Sequence, residues 1–269
     1  MKKVKIGIVG CGAIGEGVAL FVNKELKAKA QIWGIADKDK KRAKNLKKKL
    51  KFNPKILEVG DLIRKVDLVV EAASQECARY IFKRALVHRK DVVILSVGAL
   101  IGELSLLKQA EKRGIKIYVP SGAVSGIDGL GALSLGKIKK VSLVTSKPPQ
   151  GLIGAEYLKK KKINLVNLKK EKVVFRGTVK EAIKYFPKNI NVAATLLLAS
   201  SFRNIEVCIK ADPKVKRNIH RIEIEAKEAK VSISIENVPA NLNPKTSTLA
   251  ILSAQYLLKK IFSSFKIGS

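Results

Sequence analysis

The stretch Val4-Lys5-Ile6-Gly7-Ile8-Val9-Gly10-Cys11-Gly12-Ala13-Ile14-Gly15 decides the fold. Val4–Val9 is a short, β-branched apolar run. Three glycines in GxGxxG spacing follow it, and beyond them Ile14, Val18, Ala19, Phe21 and Val22 recur at helical spacing. Strand, glycine turn and helix in that order form a phosphate-binding unit. Gly10 permits the tight turn, Gly12 lets a pyrophosphate approach the backbone, and Gly15 lets helix and strand pack closely. The N–H groups of the helix start, at Ala13 and Ile14, face the phosphates. The next apolar run, Gln31–Ala36, ends at Asp37, 22 residues beyond Gly15, where a carboxylate accepts hydrogen bonds from an adenosine ribose. A glycine turn serving only packing does not explain Asp37. Its charge favours NAD, because a 2′-phosphate would be repelled, while Lys38 and the basic helix Asp39–Leu50 leave NADP open.

Outward from this unit, Val66–Ala72, Asp91–Leu95 and Lys116–Val119 read as further strands, each separated from the next by a helix-length segment. Strands alternating with helices predict an α/β Rossmann domain, a doubly wound parallel sheet, over residues 1–120. Ala73 and Ser74 follow one strand and Ser96–Ala99 another. Both segments lie at carboxyl ends, where such a sheet binds its ligand, and their small side chains leave room for ribose and nicotinamide. After Pro120 the texture changes. Lys139–Ser146, Lys172–Arg176, Ile205–Ala211, His220–Ala226 and Lys230–Glu236 are short alternating or apolar stretches, which predicts a second, α+β domain over 121–245 with a mainly antiparallel sheet. Asn191–Ser200 is small or apolar on every face and reads as a buried helix. A C-terminal helix over 246–266 is expected to pack back on the nucleotide domain.

The 269 residues carry a net charge of +32, with 54 Lys and Arg against 22 Asp and Glu. So basic a balance raises nucleic acid or an anionic membrane as partners. The lysines are spread along the chain, however, and the dense runs Lys38–Lys51 and Lys159–Lys172 lack the interleaved aromatics on which bases stack. No apolar run approaches the roughly 18 residues needed to span a bilayer, and glycines interrupt the apolar start, so no signal peptide is expected. Cys11, Cys77 and Cys208 are far apart, without metal-ligand spacing, which predicts no metal site, no disulfide framework and a cytoplasmic location. Few aromatics with abundant Lys and Ile resemble a thermophile's composition.

Only two histidines are present, and acid–base work near neutral pH most often falls to this side chain. His88 sits at the exposed end of a predicted helix. His220 opens a strand-like segment after the polar stretch Pro213–Asn218, which would set it at a cleft edge. Two further polar clusters break the local apolar logic. Phe186-Pro187-Lys188-Asn189-Ile190-Asn191 places two amides and a lysine before the buried helix, where one Asn can cap it and the other can face a ligand. Asn243-Pro244-Lys245-Thr246-Ser247 places hydroxyls and a cation at a helix start, fit for a carboxylate or for capping. No paired-carboxylate, Ser-His-Asp or HExxH arrangement appears, which leaves hydrolases unsupported.

Taken together, Ile6–Gly15, Pro120–Gly131 (PSGAVSGIDGLG), Phe186–Ala194 (FPKNINVAA), the strand carrying His220 and Asn243–Ser247 (NPKTS) resemble the L-aspartate dehydrogenase family, in order and over nearly the whole chain. The resemblance implies oxidation of L-aspartate to iminoaspartate with NAD or NADP, the imine passing to NAD biosynthesis or hydrolysing to oxaloacetate and ammonia. It implies that His220 is catalytic, that Ala123 and Asn189 contact the cofactor, and that the protein is a homodimer. The substrate carboxylates need cations and donors, for which Lys188, Lys245, Arg203, Asn189, Thr246 and Ser247 are the candidates. Two other readings fit the sequence: another two-domain imine or aldehyde reductase of amino-acid metabolism, and a non-enzymatic dinucleotide sensor that binds DNA through its basic surface.

Overall fold

The first strand, β1 (Val4–Val9), is buried from Ile6 to Val9 and hydrogen-bonds in parallel to strands on both sides, as a mostly apolar run in the middle of a sheet requires. The computed structural model describes residues 2–186 and 190–268. After β1 come α1 (Ala13–Glu25), β2 (Ala30–Ala36), α2 (Lys40–Lys49), β3 (Lys55–Ile56), α3 (Val59–Lys65), β4 (Leu68–Glu71), α4 (Gln75–His88), β5 (Asp91–Ile94), α5 (Leu104–Lys112) and β6 (Ile117–Tyr118). Their six strands form one parallel sheet in the order β3-β2-β1-β4-β5-β6. This is the doubly wound Rossmann arrangement, which reverses direction between β1 and β4 and opens a crevice at the carboxyl ends of those strands.

From Ala123 a second core is built by α6 (Ile127–Leu133), β7 (Ile138–Lys147), α7 (Glu156–Lys160), β8 (Lys172–Thr178), α8 (Val179–Tyr185), α9 (Asn191–Ser200), β9 (Glu206–Ala211), β10 (Asn218–Ala226) and β11 (Lys230–Asn237). Its five-stranded sheet runs β11-β10-β7-β9-β8. The sheet is mainly antiparallel but mixed, because β7 and β9 pair in parallel. Period-two alternation records which face of a strand is buried and carries nothing about direction, so the sequence could not show this. Helix α9 is buried, with Ala193 and Ala194 fully enclosed. Its N-cap position is held by Ile190 and Asn191 is already inside the helix, so the cap is not the asparagine expected from this segment. The segment Asn243–Ser247 differs as well. It is strand β13, paired with β12 (Pro239–Ala240), and α10 (Thr248–Ile261) starts directly after it.

By contacts the chain divides into a unit of Met1–Gly122, Ala240–Thr246 and Ala250–Ile267 and a unit of Ala123–Pro239, Ser247–Leu249 and Gly268–Ser269. Most of α10 thus belongs to the first unit, where Ala254 and Leu258 are fully buried in the core formed by β1, β2 and α1. The seat is a glycine. A Cβ on Gly17 would lie 2.5 Å from Ile251 Cγ2, so only glycine lets α10 come this close, and Gln255 Nε2 donates to the Gly17 carbonyl at 2.9 Å. Leu258→Ala should therefore lower the unfolding free energy by about 2–5 kcal/mol, the cost of a buried leucine plus its cavity. Chemical denaturation of the two proteins checks it.

Candidate active site

The glycine turn between β1 and α1 is set by two close backbone approaches. Gly10 has φ of +95°, and a Cβ there would sit 2.4 Å from the Ala72 carbonyl oxygen. A Cβ on Gly15 would sit 1.8 Å from the Gly10 oxygen. Both positions admit only glycine. Gly12 is different, because no protein atom lies within 4 Å of where its Cβ would be. Packing accounts for Gly10 and Gly15 and leaves open space at Gly12. Gly12 is also the N-cap of α1 and offers no side chain to the helix start, so the orphan N–H groups at Ala13 and Ile14 lack a protein cap. Space and donors together fit a pyrophosphate.

Asp37, the residue after β2, is bound to this turn. Its Oδ2 accepts from the Cys11 N–H at 2.6 Å, and its Oδ1 accepts from the Asp39 N–H at 2.8 Å. Each oxygen keeps a lone pair for a ribose hydroxyl. The Cys11 side chain takes no part as a nucleophile, because burial and then the charges of Asp37 and Glu16 push its thiol up to about 12. Burial and nearby carboxylates likewise push Cys77 up to about 11.

Across the switch point stands a group the sequence reading missed. Glu71, the last residue of β4, is fully buried, yet it accepts from the N–H groups of Ala73 at 2.7 Å, Leu95 at 3.2 Å and Ser96 at 2.9 Å, and from the Ser96 hydroxyl at 2.8 Å. Burial raises its pKa while these donors work against that rise. The carboxylate clasps the ends of β4 and β5 together. The clasp occupies the Ala73 N–H, while the Ala73 and Ser74 side chains are exposed and Ser74 Oγ caps α4 by accepting from the Cys77 N–H. Ser96–Ala99, expected to leave open room, is buried. The one available signal was a glutamate ending an otherwise apolar strand.

In the second unit the inner face of the sheet turns from apolar to polar toward one end. Ile222 on β10 faces Leu143 on β7 and Ile233 on β11. One step along the same face, His220 faces Thr145 and Ile235, and one step further Asn218 faces Asn237. His220 is 4% exposed, buried within β10 rather than at a strand start on a cleft edge. Its Nδ1 is 3.0 Å from Thr145 Oγ1. Burial and then the charge of Lys147 lower its pKa to about 3, so the ring is neutral at physiological pH.

Lys147 is the last residue of β7, two beyond Thr145 on the same face and 8% exposed. Burial pushes its ammonium down to about 8. Asn237, 3% exposed, donates from Nδ2 to the Ala123 carbonyl at 3.0 Å and accepts from Ser247 Oγ at 2.7 Å. A Cβ on Gly126 (φ +76°) would lie 2.2 Å from Ile233 Cδ1, so the 121–126 loop descends onto β11 at this glycine and brings Ala123 to the polar end.

The structure thus gathers His220, Ala123 and Ser247 in one unit and adds Thr145, Lys147 and Asn237, which sequence reasoning missed. Lys188 and Asn189 lie outside the described residues. Thr246 is partly exposed in β13, and Lys245 and Arg203 are exposed. Among the described residues no group of three His, Cys, Asp or Glu side chains is placed to hold a metal, and no helix is long and apolar enough to cross a membrane.

Residues 128–261 match the family described as "Aspartate dehydrogenase, C-terminal", and residues 10–120 match "Homoserine dehydrogenase, NAD binding domain". The chain is 44% identical over 271 residues to the L-aspartate dehydrogenase of Methanosarcina acetivorans, covering 99% of this chain and 100% of that one. It is 41% identical over 271 residues to that of Methanocaldococcus jannaschii, with the same coverage. The crystal structure of aspartate dehydrogenase from Thermotoga maritima superposes with a TM-score of 0.75 at 27% identity, over 99% of this chain and 100% of that one. Likeness of this extent, running through both units, places the chain in the aspartate dehydrogenase family.

Proposed function

We propose that the protein catalyses the NAD(P)-dependent oxidation of L-aspartate to iminoaspartate, which hydrolyses to oxaloacetate and ammonia or feeds NAD biosynthesis. The observation that carries this reading is the neutral, oriented imidazole of His220 at the polar end of an otherwise apolar sheet face. Gly10, Gly12, Gly15 and the N–H groups of Ala13 and Ile14 would hold the pyrophosphate, Asp37 the adenosine ribose, and Ala73, Ser74, Ala123 and Asn189 the remainder of the cofactor. When bound, the dinucleotide supplies the acceptor for the hydride that leaves the substrate's α-carbon.

The chain's own residues handle the proton. The amine must be neutral when the hydride departs, so a proton leaves the α-ammonium to His220 Nε2. In the state competent to take it, Nδ1 carries the ring's proton and donates it to Thr145 Oγ1, which fixes both tautomer and ring plane. The two carboxylates of the substrate work against the two influences that hold the ring neutral, burial and the Lys147 charge, so the ring's proton affinity rises when the site is filled. In hydrolysis the same ring guides water onto the imine carbon. Asn189, Lys188, Thr246 and Ser247 complete the reading as substrate contacts. A cytoplasmic homodimer is part of it too, supported by three free cysteines and by the family resemblance.

Purified protein with NAD and L-aspartate should generate reduced cofactor, followed spectrophotometrically; no reduction with L-aspartate, alongside turnover of another amino acid or an aldehyde, overturns the reading. His220→Ala should lower kcat on L-aspartate by about 100-fold or more while NAD affinity stays within a factor of two. Asp37→Ser should raise the NADP-to-NAD ratio of kcat/KM at least tenfold, because the charge opposing a 2′-phosphate is gone. Stability carries a third signature. The folded pKa of His220 lies below its unfolded value, so the unfolded chain binds the proton first, and stability is lost as pH falls below about 6.5 toward 3. Between pH 7 and pH 4 this one ring should cost about 3 kcal/mol, a loss absent from His220→Leu when both proteins are unfolded in urea across that range.

A further inference from the structure

Three features of the second unit converge on one side chain. Lys147 is buried at the end of a strand whose inner face is apolar up to Thr145, where burial makes its charged form costly. It lies on the same face as His220 and acts on it electrostatically. Its stem lies beside the turn at Pro149–Gly151, where a Cβ on Gly151 would be in van der Waals contact, 3.9 Å from Lys147 Cβ and Cδ. Of the other cations considered for the substrate carboxylates, the two among the described residues, Lys245 and Arg203, are exposed.

Resting on the function proposed above, we infer that Lys147 binds the side-chain carboxylate of the substrate and so selects a dicarboxylic amino acid over a monocarboxylic one. The register distinguishes the two carboxylates. Lys147 stands two residues, about 7 Å, along β7 from the Thr145–His220 pair. A substrate whose α-amino group reaches the ring keeps its α-carboxylate beside that group and extends its side-chain carboxylate along the strand toward Lys147. The same contact ties recognition to chemistry. An anion on Lys147 cancels the positive charge that opposes protonation of His220, so a substrate without the second carboxylate loses both its anchor and part of the base's proton affinity. The groups facing the ring are Thr145 and Lys147 from β7 and Ile235 from β11, so among them Lys147 is the charged one.

Lys147→Met and Lys147→Arg test this in the full-length enzyme. For Lys147→Met the KM for L-aspartate and the inhibition constant of succinate should both rise about 100-fold, the scale for losing a buried charge-assisted contact. The kcat/KM for L-asparagine, nearly isosteric with the acid, should stay within threefold of wild type, and NADH affinity by fluorescence titration should be unchanged. Lys147→Arg should recover a large part of the succinate binding. With only two histidines in the chain, NMR titration reads His220 directly, and its pKa should rise in Lys147→Met. Unchanged succinate binding in Lys147→Met, or equal losses on aspartate and asparagine, overturns the inference. Should Lys147→Met fail to fold, the same comparison in Lys147→Gln decides it. Wild-type protein that binds succinate but does not oxidise aspartate sinks the proposed reaction and leaves the role of Lys147 to the succinate and NMR measurements.

Discussion

The contact on which the first unit depends is a backbone meeting a backbone, the Gly10 carbonyl against the α-carbon of Gly15, where a methyl group would sit 1.8 Å from oxygen. Because those atoms touch, α1 starts immediately after β1 and aims its unpaired N–H groups over the carboxyl end of the sheet. Because Cys11 lies in that turn, its N–H reaches Asp37 and fixes β2 to β1 at the same height. Because Gly10 also lies against Ala72, the turn is locked to the end of β4, where Glu71 gathers the first residues beyond β4 and β5. Thus the crevice of the doubly wound sheet has two walls, each held by a carboxylate that accepts backbone N–H groups. These are strong bonds in a low-dielectric setting, and a buried N–H left without its acceptor costs about 1–3 kcal/mol.

The second unit is organised by the opposite tension. Its sheet face could have been apolar throughout, and at Thr145, Lys147, His220 and Asn237 it is not. Asn237 is satisfied on both sides by Ala123 and Ser247, so its amide stabilises the loop and the strand it joins. The pair of His220 and Lys147 is unlike this. Each is pushed toward its neutral form by burial, and the lysine's charge pushes the histidine further. On the proposed reading, two groups destabilised in their charged forms, on adjacent strands of one face, are an arrangement that the carboxylates of an incoming substrate would relieve. Stability given up in the free protein would then be recovered on binding, the pattern expected where a site is built for charge.

Much of this was legible in the sequence, and what was not has physical causes. The parallel sheet could be read because strands buried on both faces must be continuous apolar runs, and Val4–Val9 and Gln31–Ala36 have no other stable use. The glycine turn and Asp37 could be read because their spacing is local. His220 stood out by scarcity. Thr145, Lys147 and Asn237 did not, because each belongs to a common residue type, and their meeting depends on register between strands distant in sequence. The parallel pairing of β7 with β9 was hidden for the same reason, and so was the strand at Asn243–Ser247, where a proline and two hydroxyls read like a helix cap. Gly17, an unremarkable glycine inside a helix by sequence, is the seat of α10 only because another element arrives there.

The charge of +32 shows why counting residues is a poor guide to sites. Most of the 54 basic side chains lie at the surface, where water and salt reduce an interaction between unit charges to roughly 1 kcal/mol at contact and screen it beyond about 10 Å. Their salt bridges, such as Lys24 with Glu25 and Lys140 with Glu206, join exposed partners and add little. What such a surface does is attract anions indiscriminately, and both a dinucleotide and a dicarboxylate are anions. Discrimination between anions needs a cation whose hydration has been stripped, so that a carboxylate in the right place replaces water and one in the wrong place does not. Among the described residues Lys147 is the lysine or arginine that is buried. On the proposed reading, this one buried ammonium, held on a strand beside the one that carries His220, carries more selectivity than the rest of the surface together.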